Sequence, residues 1–551
     1  MNMDSKSLKS FNAYGRVIAL IVLILCSILM FSLAKNIAEI AIPFDTDETQ
    51  HAIDGWEVYL ALKNASWAEL DWAIRSQAFY PPIHSLILAL GFVFLGPGIA
   101  SGRFVTLFVF GGAVLLLAIL TFKIAYSTFE NRERARTASL IGAAFAVLLA
   151  ITSEPFVLHG TVVMLEMSGV LLVLILIYLL GHQTNQSLIE SKAVQGAIAI
   201  GIFLVFLTKY SFGFFAPAMI LTILSGTKSS YRSRVHWKSA IFITGIVISL
   251  IVLWILLLYD RQSFFGFFTE HSSDAPILSA ENLFYYPNKW LNNYSPSATW
   301  ALFVLILSAI PVVNYWKTTV VRLSFWSVIF ALSLFAISTT NVTRHILVAI
   351  PLIWFLAGLG ISHLIKTASL QRKLMIAIPV IFAFVLASFA IETSGFFSRL
   401  PLNVARYFAG KPVYSQLEEF IIANTEFDRP VAIYGDFGDR HGLEALRWRA
   451  GISTEQSLWD LHIDQIPFTV RESKIDRANR KSQLSNGNPN ELRSSLLDVI
   501  ESGYYSYLVE EIQLDEDRPT TAQEMDPSLA QYIFASTEIE GWRVNIYKFE
   551  D

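Results

Sequence analysis

Carboxylates crowd the stretch that follows the first apolar run, among them Glu39, Asp45, Asp47, Glu48, Asp54, Glu57 and Glu69. Its centre reads Phe44-Asp45-Thr46-Asp47-Glu48-Thr49-Gln50-His51, and the segment closes on Tyr80-Pro81-Pro82-Ile83-His84. A carboxylate beside a low-dielectric surface holds its proton more tightly than one in water, which suits it as a general base near neutral pH. Asp47 and Glu48 are the candidates for that work, while Glu39, Asp54, Glu57 and Glu69 read as solvated helix faces. The stretch also reads as a plain amphipathic helix, with Glu48, His51, Gly55, Trp56, Tyr59 and Leu60 at helical spacing. Trp56, Tyr59, Trp67 and Trp72 suit a membrane interface.

A second acid, Glu166, follows Thr161-Val162-Val163-Met164-Leu165 and opens the apolar run from Met167 to Leu180. An ionisable group there is expensive, so a functional role is the default reading and a side chain reaching out to water is the alternative. Glu154, before Pro155, reads as a boundary residue. Two cations complete the set: Lys209 in Phe206-Leu207-Thr208-Lys209-Tyr210, and Arg344 in Asn341-Val342-Thr343-Arg344-His345. Both lie at membrane depth, where cations grip a lipid phosphate or snorkel to water. No P-loop, GxGxxG, HExxH or GxSxG pattern occurs.

The elements that must position these residues are membrane helices. The chain has 551 residues, is 54% hydrophobic and only 16% charged, and has a mean hydropathy of +0.49. Its one cysteine, Cys26, lies in the first apolar run, which excludes disulfides within the chain. Lys6, Lys9 and Arg16 precede that run as in a signal peptide, but its length and the many spans beyond it indicate an uncleaved helix. Runs suited to crossing a membrane occupy 17–34, 102–122, 137–154, 165–181, 195–209, 210–226, 239–259, 299–314, 323–339, 345–363 and 374–391. The 13 residues from Ile83 to Leu95 suit an interfacial or re-entrant helix instead. With the N-terminus inside, 17 bases fall on the cytoplasmic side and eight on the other up to residue 391, which supports eleven spans. The acids collect on the outer side.

From about Pro401 the pattern becomes that of a soluble α/β domain, so the division is 1–400, with an acidic outer loop at 35–101, and an extracytoplasmic 401–551. Residues 392–551 carry 27 acids and 16 bases. The expected elements are a helix over Tyr414–Asn424, a strand over Pro430–Asp436, a helix over His441–Ala450, a helix over Leu492–Ser502, a strand over Tyr505–Val509 and a terminal strand over Trp542–Phe549. A loop spans Ser482–Glu491.

With Asp47-Glu48 after the first span, Tyr80-Pro81-Pro82-Ile83-His84 opening a short helix, Gly96 to Ser101-Gly102-Arg103 opening the second span, Glu166, Thr208-Lys209-Tyr210 and Arg344-His345, the chain resembles the GT-C membrane glycosyltransferases. It is similar there to the protein O-mannosyltransferases, the aminoarabinose transferases of lipid A and the Rgt-like group, over roughly residues 15 to 391. The resemblance implies a polytopic helical fold and inverting transfer of a sugar from a polyprenyl-phosphate donor to a hydroxyl on a glycan, lipid or protein. It implies Asp47 as general base with Glu48 beside it and Glu166 as the second catalytic acid, often Asp in relatives. Lys209 and Arg344 would hold the donor phosphate; His51, Tyr80, His84 and His345, the last often Tyr in relatives, would line the substrate site. Some members use a divalent cation, Mg or Mn, for which Asp47 and Glu166 are the available ligands, and others use none. The implied location is the plasma (inner) membrane, with no nucleic-acid partner. Two other readings stay open: a transporter or flippase of lipid-linked sugars, and a membrane-anchored sensor or scaffold acting through its C-terminal domain.

Overall fold

In lipid, every backbone N–H and C=O must be bonded within its own segment, so long apolar runs fold as helices. The computed structural model shows this, and it describes residues 5–39, 46–128, 132–181, 191–225, 230–262, 264–265, 279–295, 297–337, 343–367, 412–427, 429–435, 443–454, 461, 463–466, 505–513, 527–539 and 542–549. The first helices are α1 (Ser5–Glu39), α2 (Thr46–Lys63), α3 (Trp67–Arg75), α4 (Ile83–Leu95), α5 (Ile99–Ser127), α6 (Arg132–Ile151), α7 (Glu154–His159) and α8 (Leu165–Leu180). There follow α9 (Lys192–Phe206), α10 (Phe215–Leu224), α11 (Ser230–Leu257), α12 (Ala280–Asn292), α13 (Ala298–Asn314), α14 (Thr319–Ile337) and α15 (Ile350–Thr367). Short 3-10 turns at Tyr210–Phe214 and Thr343–Val348 lead into α10 and α15.

Three of these helices are long and apolar enough to cross a membrane: Gly15–Ala38, Ile99–Ser127 and His236–Leu257. Eight more apolar helices are shorter, α4 among them, and the protein is a multi-pass membrane protein. The first ten expected spans coincide with described helices; 374–391 lies outside the described residues, as do 482–491 and 492–502. Ile83–Leu95 forms a helix with the expected bounds.

The chain divides into two compact units. The first comprises Met1–Ala38, Ile74–Ile87 and Arg103–Ala405. Within it, α15 packs along both α6 and α13. Small residues let the backbones close in: a Cβ added to Gly358 would lie 2.6 Å from Gly142 O, and one added to Gly360 would collide with Leu307 O. Hydroxyls bridge the same seams, Ser362 Oγ donating to Ala138 O at 3.0 Å and Ser308 Oγ to Ile353 O at 2.9 Å.

The second unit comprises Glu39–Ala73, Leu88–Gly102 and Arg406–Asp551. Its α/β part contains α16 (Pro412–Asn424), β1 (Val431–Gly435), α17 (Leu443–Thr454), β2 (Ile463–Ile466), β3 (Tyr507–Gln513), β4 (Ile533–Ile539) and β5 (Trp542–Lys548). The sheet order is β2-β1-β3-β5-β4, with β2, β1 and β3 parallel and the β3–β5 and β5–β4 pairs antiparallel. Val431, Ala432 and Ile433 are all buried, as befits a parallel strand covered on both faces. Strands β2 and β4 were not anticipated.

Two readings of the acidic stretch are corrected here. Trp56 does not sit at a lipid interface: it is fully buried, 6.1 Å edge-on from Trp448 of α17 and stacked 5.4 Å from Tyr59. Phe92 of α4 closes the cluster, 5.8 Å from Trp448. On the same helix Glu57 is buried and Asp54 half-buried, so neither lies on a solvated face; Glu69 is exposed, as expected.

Candidate functional site

Glu166 stands in the first turn of α8, whose N-cap residue Met164 offers no side-chain cap. A carboxylate here faces the positive end of the helix dipole. Its own chain thus supplies part of what an anion needs.

Lys209 is placed by the break between α9 and the turn Tyr210–Phe214. Its backbone is extended, with φ −160° and ψ 125°. The break is pinned from several sides. Tyr210 OH donates to Ala78 O at 3.1 Å, Trp254 Nε1 donates to Tyr210 OH at 3.2 Å, and Ile83 N donates to Leu207 O at 3.2 Å. Around these bonds Ala78, Phe206, Leu207, Tyr210, Trp254, Leu258 and Phe264 form an apolar cluster. Gly169 lets α8 approach the turn, since a Cβ there would lie 2.6 Å from Phe212 Cδ2.

These supports bring three expected site residues together. Lys209 Nζ donates to Glu166 Oε1 at 2.7 Å, and Arg344 Nε lies 3.5 Å from the same oxygen. Arg344 also reaches Met164 Sδ at 3.8 Å. The Glu166 and Lys209 side chains are 2% and 7% exposed, so Glu166 is ion-paired inside the protein and does not snorkel. One acid between two bases gives the trio a formal charge of +1. Glu166 Oε2 is buried and has no hydrogen-bond partner among the described residues.

His84 joins through Ser168, two residues beyond Glu166 on α8: His84 Nδ1 and Ser168 Oγ are 2.9 Å apart and buried. The turn ahead of His84 is closed by Ser85 Oγ, which donates to Gln77 Oε1 at 2.5 Å and Pro82 O at 2.8 Å. His345 is buried beside Arg344 and stacks on Phe335 with centroids 5.4 Å apart. Tyr80 is half-buried and meets Phe79 edge-on at 4.8 Å. Glu48 and His51 are buried on α2, in the second unit. Asp47 also lies on α2, its side chain outside what is described.

Ser168 and Tyr294 belong to this surrounding and were missed in the sequence. Tyr294, between α12 and α13, is buried; burial foremost, then the charge on Glu166, then Tyr286 and Tyr285, hold its phenol well above the ordinary value. A spacing of four links Tyr286, Trp290 and Tyr294, which in retrospect marks the buried face of α12 and the residue just past its end.

No protein-family model matches the chain, and no curated protein matches it in sequence. Among solved structures it is similar to ArnT from Cupriavidus metallidurans in the apo state, at 14% identity and a TM-score of 0.59 over 97% of this chain and 98% of that one. The same ArnT bound to undecaprenyl phosphate gives 13% identity and a TM-score of 0.58 over the same shares. The Archaeoglobus fulgidus oligosaccharyltransferase in the apo form gives 12% identity and a TM-score of 0.50, over 88% of this chain and 69% of that one. Identity this low speaks to architecture alone, and on that evidence the chain has the GT-C fold.

Proposed function

We propose that this protein is an inverting glycosyltransferase that moves a sugar from a polyprenyl-phosphate donor to a hydroxyl on the outer face of the membrane. The observation that carries the reading is the buried trio of Glu166, Lys209 and Arg344. Two cations converging near a membrane are what a departing lipid phosphate needs, and the similarity to an ArnT solved with undecaprenyl phosphate supports the same ligand class.

In the reaction, a carboxylate takes the proton from the acceptor hydroxyl, whose oxygen attacks the anomeric carbon from the face opposite the phosphate. The bond from that carbon to the phosphate oxygen breaks, and its electron pair leaves with the polyprenyl phosphate. Lys209 and Arg344 neutralise the charge that develops, and Glu166 holds both cations in place beforehand, so little reorganisation is needed at the moment of transfer. The base is Asp47 by the resemblance, an assignment resting on the sequence motif. Acceptor recognition falls to the α/β domain.

A divalent cation fits Glu166 poorly, because its bound oxygen already faces an ammonium at 2.7 Å and a guanidinium at 3.5 Å. No group of three His, Cys, Asp or Glu suited to a metal occurs among the described residues. No step is routed through a metal.

The test is binding and turnover by the purified full-length protein. Lys209→Met should weaken undecaprenyl-phosphate binding about 10- to 100-fold, the range for loss of one charge-assisted contact. Glu166→Gln should lower turnover of undecaprenyl-phosphate sugars by about 100-fold or more, and EDTA should leave the wild-type rate unchanged. Wild-type affinity in Lys209→Met would sink the reading.

A further inference from the structure

Helix α12 carries a buried aromatic face that the reaction scheme leaves unused. Tyr286 and Trp290 on the helix, and Tyr294 two residues past its end, recur every four residues and are 0%, 5% and 3% exposed, whereas Phe284, Pro287, Asn288 and Asn292 are exposed. The face leads to the ion trio by two routes. At one end, Tyr294 lies in the field of the Glu166 carboxylate. At the other, the Tyr286 ring is 5.9 Å from Phe335, which stacks on His345, the neighbour of Arg344. Helix α12 packs directly on α13, on α14 and on the turn that bears Arg344.

Two polar atoms in this surrounding await a partner. The Trp290 indole N–H is buried and finds no acceptor among the described residues, and Glu166 Oε2 finds no donor. A buried donor without an acceptor destabilises the fold, and Phe would supply a ring here without that cost. Indole and phenol rings offer flat apolar faces to the C–H side of a sugar ring, while an N–H donor and a carboxylate acceptor suit its hydroxyls. In a polyprenyl-phosphate sugar the ring is bonded directly to the phosphate, which places it beside Lys209 and Arg344.

Building on the proposed function, we propose that the α12 face, with Trp290 at its centre, is the binding wall for the donor sugar, Trp290 Nε1 donating to one ring hydroxyl and Glu166 Oε2 accepting from another. The wall reads the sugar, while the cation pair reads the phosphate. Trp290 is a binding residue here and has no part in the proton transfer.

The test compares two ligands on the full-length protein in detergent: bare undecaprenyl phosphate, and the undecaprenyl-phosphate monosaccharide that the wild type binds most tightly from a set of hexoses, pentoses and N-acetylhexosamines. Trp290→Phe keeps a ring and removes the N–H; it should bind the bare lipid phosphate like wild type and the sugar-bearing lipid about five-fold more weakly, as loss of one neutral hydrogen bond predicts. Trp290→Met, which also removes the N–H and fills the space with a flexible apolar chain, provides the same comparison should Trp290→Phe fail to fold. Equal weakening for both ligands would mark a merely structural face, and no weakening for either would remove the wall from the site; each overturns the proposal. So does a wild type that binds no sugar-bearing lipid more tightly than the bare one, or a loss that shows only in the acceptor KM. Failure of the wild type to bind undecaprenyl phosphate at all would instead strike the proposed function itself.

Discussion

Glu166 and Asp54 are carboxylates with restricted access to water, and their neighbours differ in sign. Glu166 faces an ammonium and a guanidinium. Asp54 faces Glu57 and receives a hydrogen bond from Gln50 Nε2 at 3.2 Å, while burial first and Glu57 besides push its carboxyl up to about 8. In the unfolded chain it titrates at about 3.9. The folded state therefore binds the extra proton, and the stability it contributes is whole below about pH 4, declines as pH rises toward about 8, and is gone above that. Asp54→Asn should abolish this decline: its melting temperature, followed by tryptophan fluorescence, should stay level where that of the wild type falls between about pH 5 and 8. Parallel slopes would refute the assignment. The legible site residues are those whose charge stands out against an apolar run, Glu166, Lys209 and Arg344. Ser168 and Trp290 escape notice because a serine or tryptophan near a membrane helix has many ordinary uses. Trp56 was misplaced at an interface because Trp448, which packs on it, lies hundreds of residues away in the chain.

At the scale of elements, α15 shows where close packing outranks helix propensity. Alanine is favoured over glycine in a helix interior by about 1 kcal/mol. At Gly358 the new methyl would lie 2.6 Å from the backbone oxygen of Gly142, with no flexible side chain to give way. Gly358→Ala should thus destabilise the protein by about 1–3 kcal/mol, the usual cost of overpacking. Gly196 in α9 has nothing within 4 Å of an added Cβ, so Gly196→Ala serves as the opposite case and should be neutral or stabilising in the same thermal assay. A rise in melting temperature for both would show that the α6–α15 seam adapts. Hydropathy located these helices well because length and apolarity leave few other solutions. It served strands unevenly. β1 is a continuous apolar run and was found, whereas β4 reads Ile533-Phe534-Ala535-Ser536-Thr537-Glu538-Ile539, an exposed edge with no clean alternation, and β2 has only four residues.

The largest scale holds what no local pattern could convey: the second unit is assembled from three separated stretches of chain. Helix α2 is fastened to α17 by Trp56 and Trp448, with Phe92 of α4 packed on Trp448 and on Tyr59. Trp448→Ala should cost about 3–5 kcal/mol, as buried aromatic truncations do. Hydrogen exchange should then quicken across residues 46–63 as well as 443–454; protection of 46–63 at wild-type levels would show that α2 stands by itself. The same joint sets a timetable for biosynthesis. Trp56 leaves the ribosome about 390 residues before the tryptophan that covers it, an interval of roughly 20–80 s at common elongation rates. During that wait Trp56 and the helix that bears it lack the cover that Trp448 later provides. A chain stalled before residue 448 would carry α2 without the α17 tryptophan that packs on it.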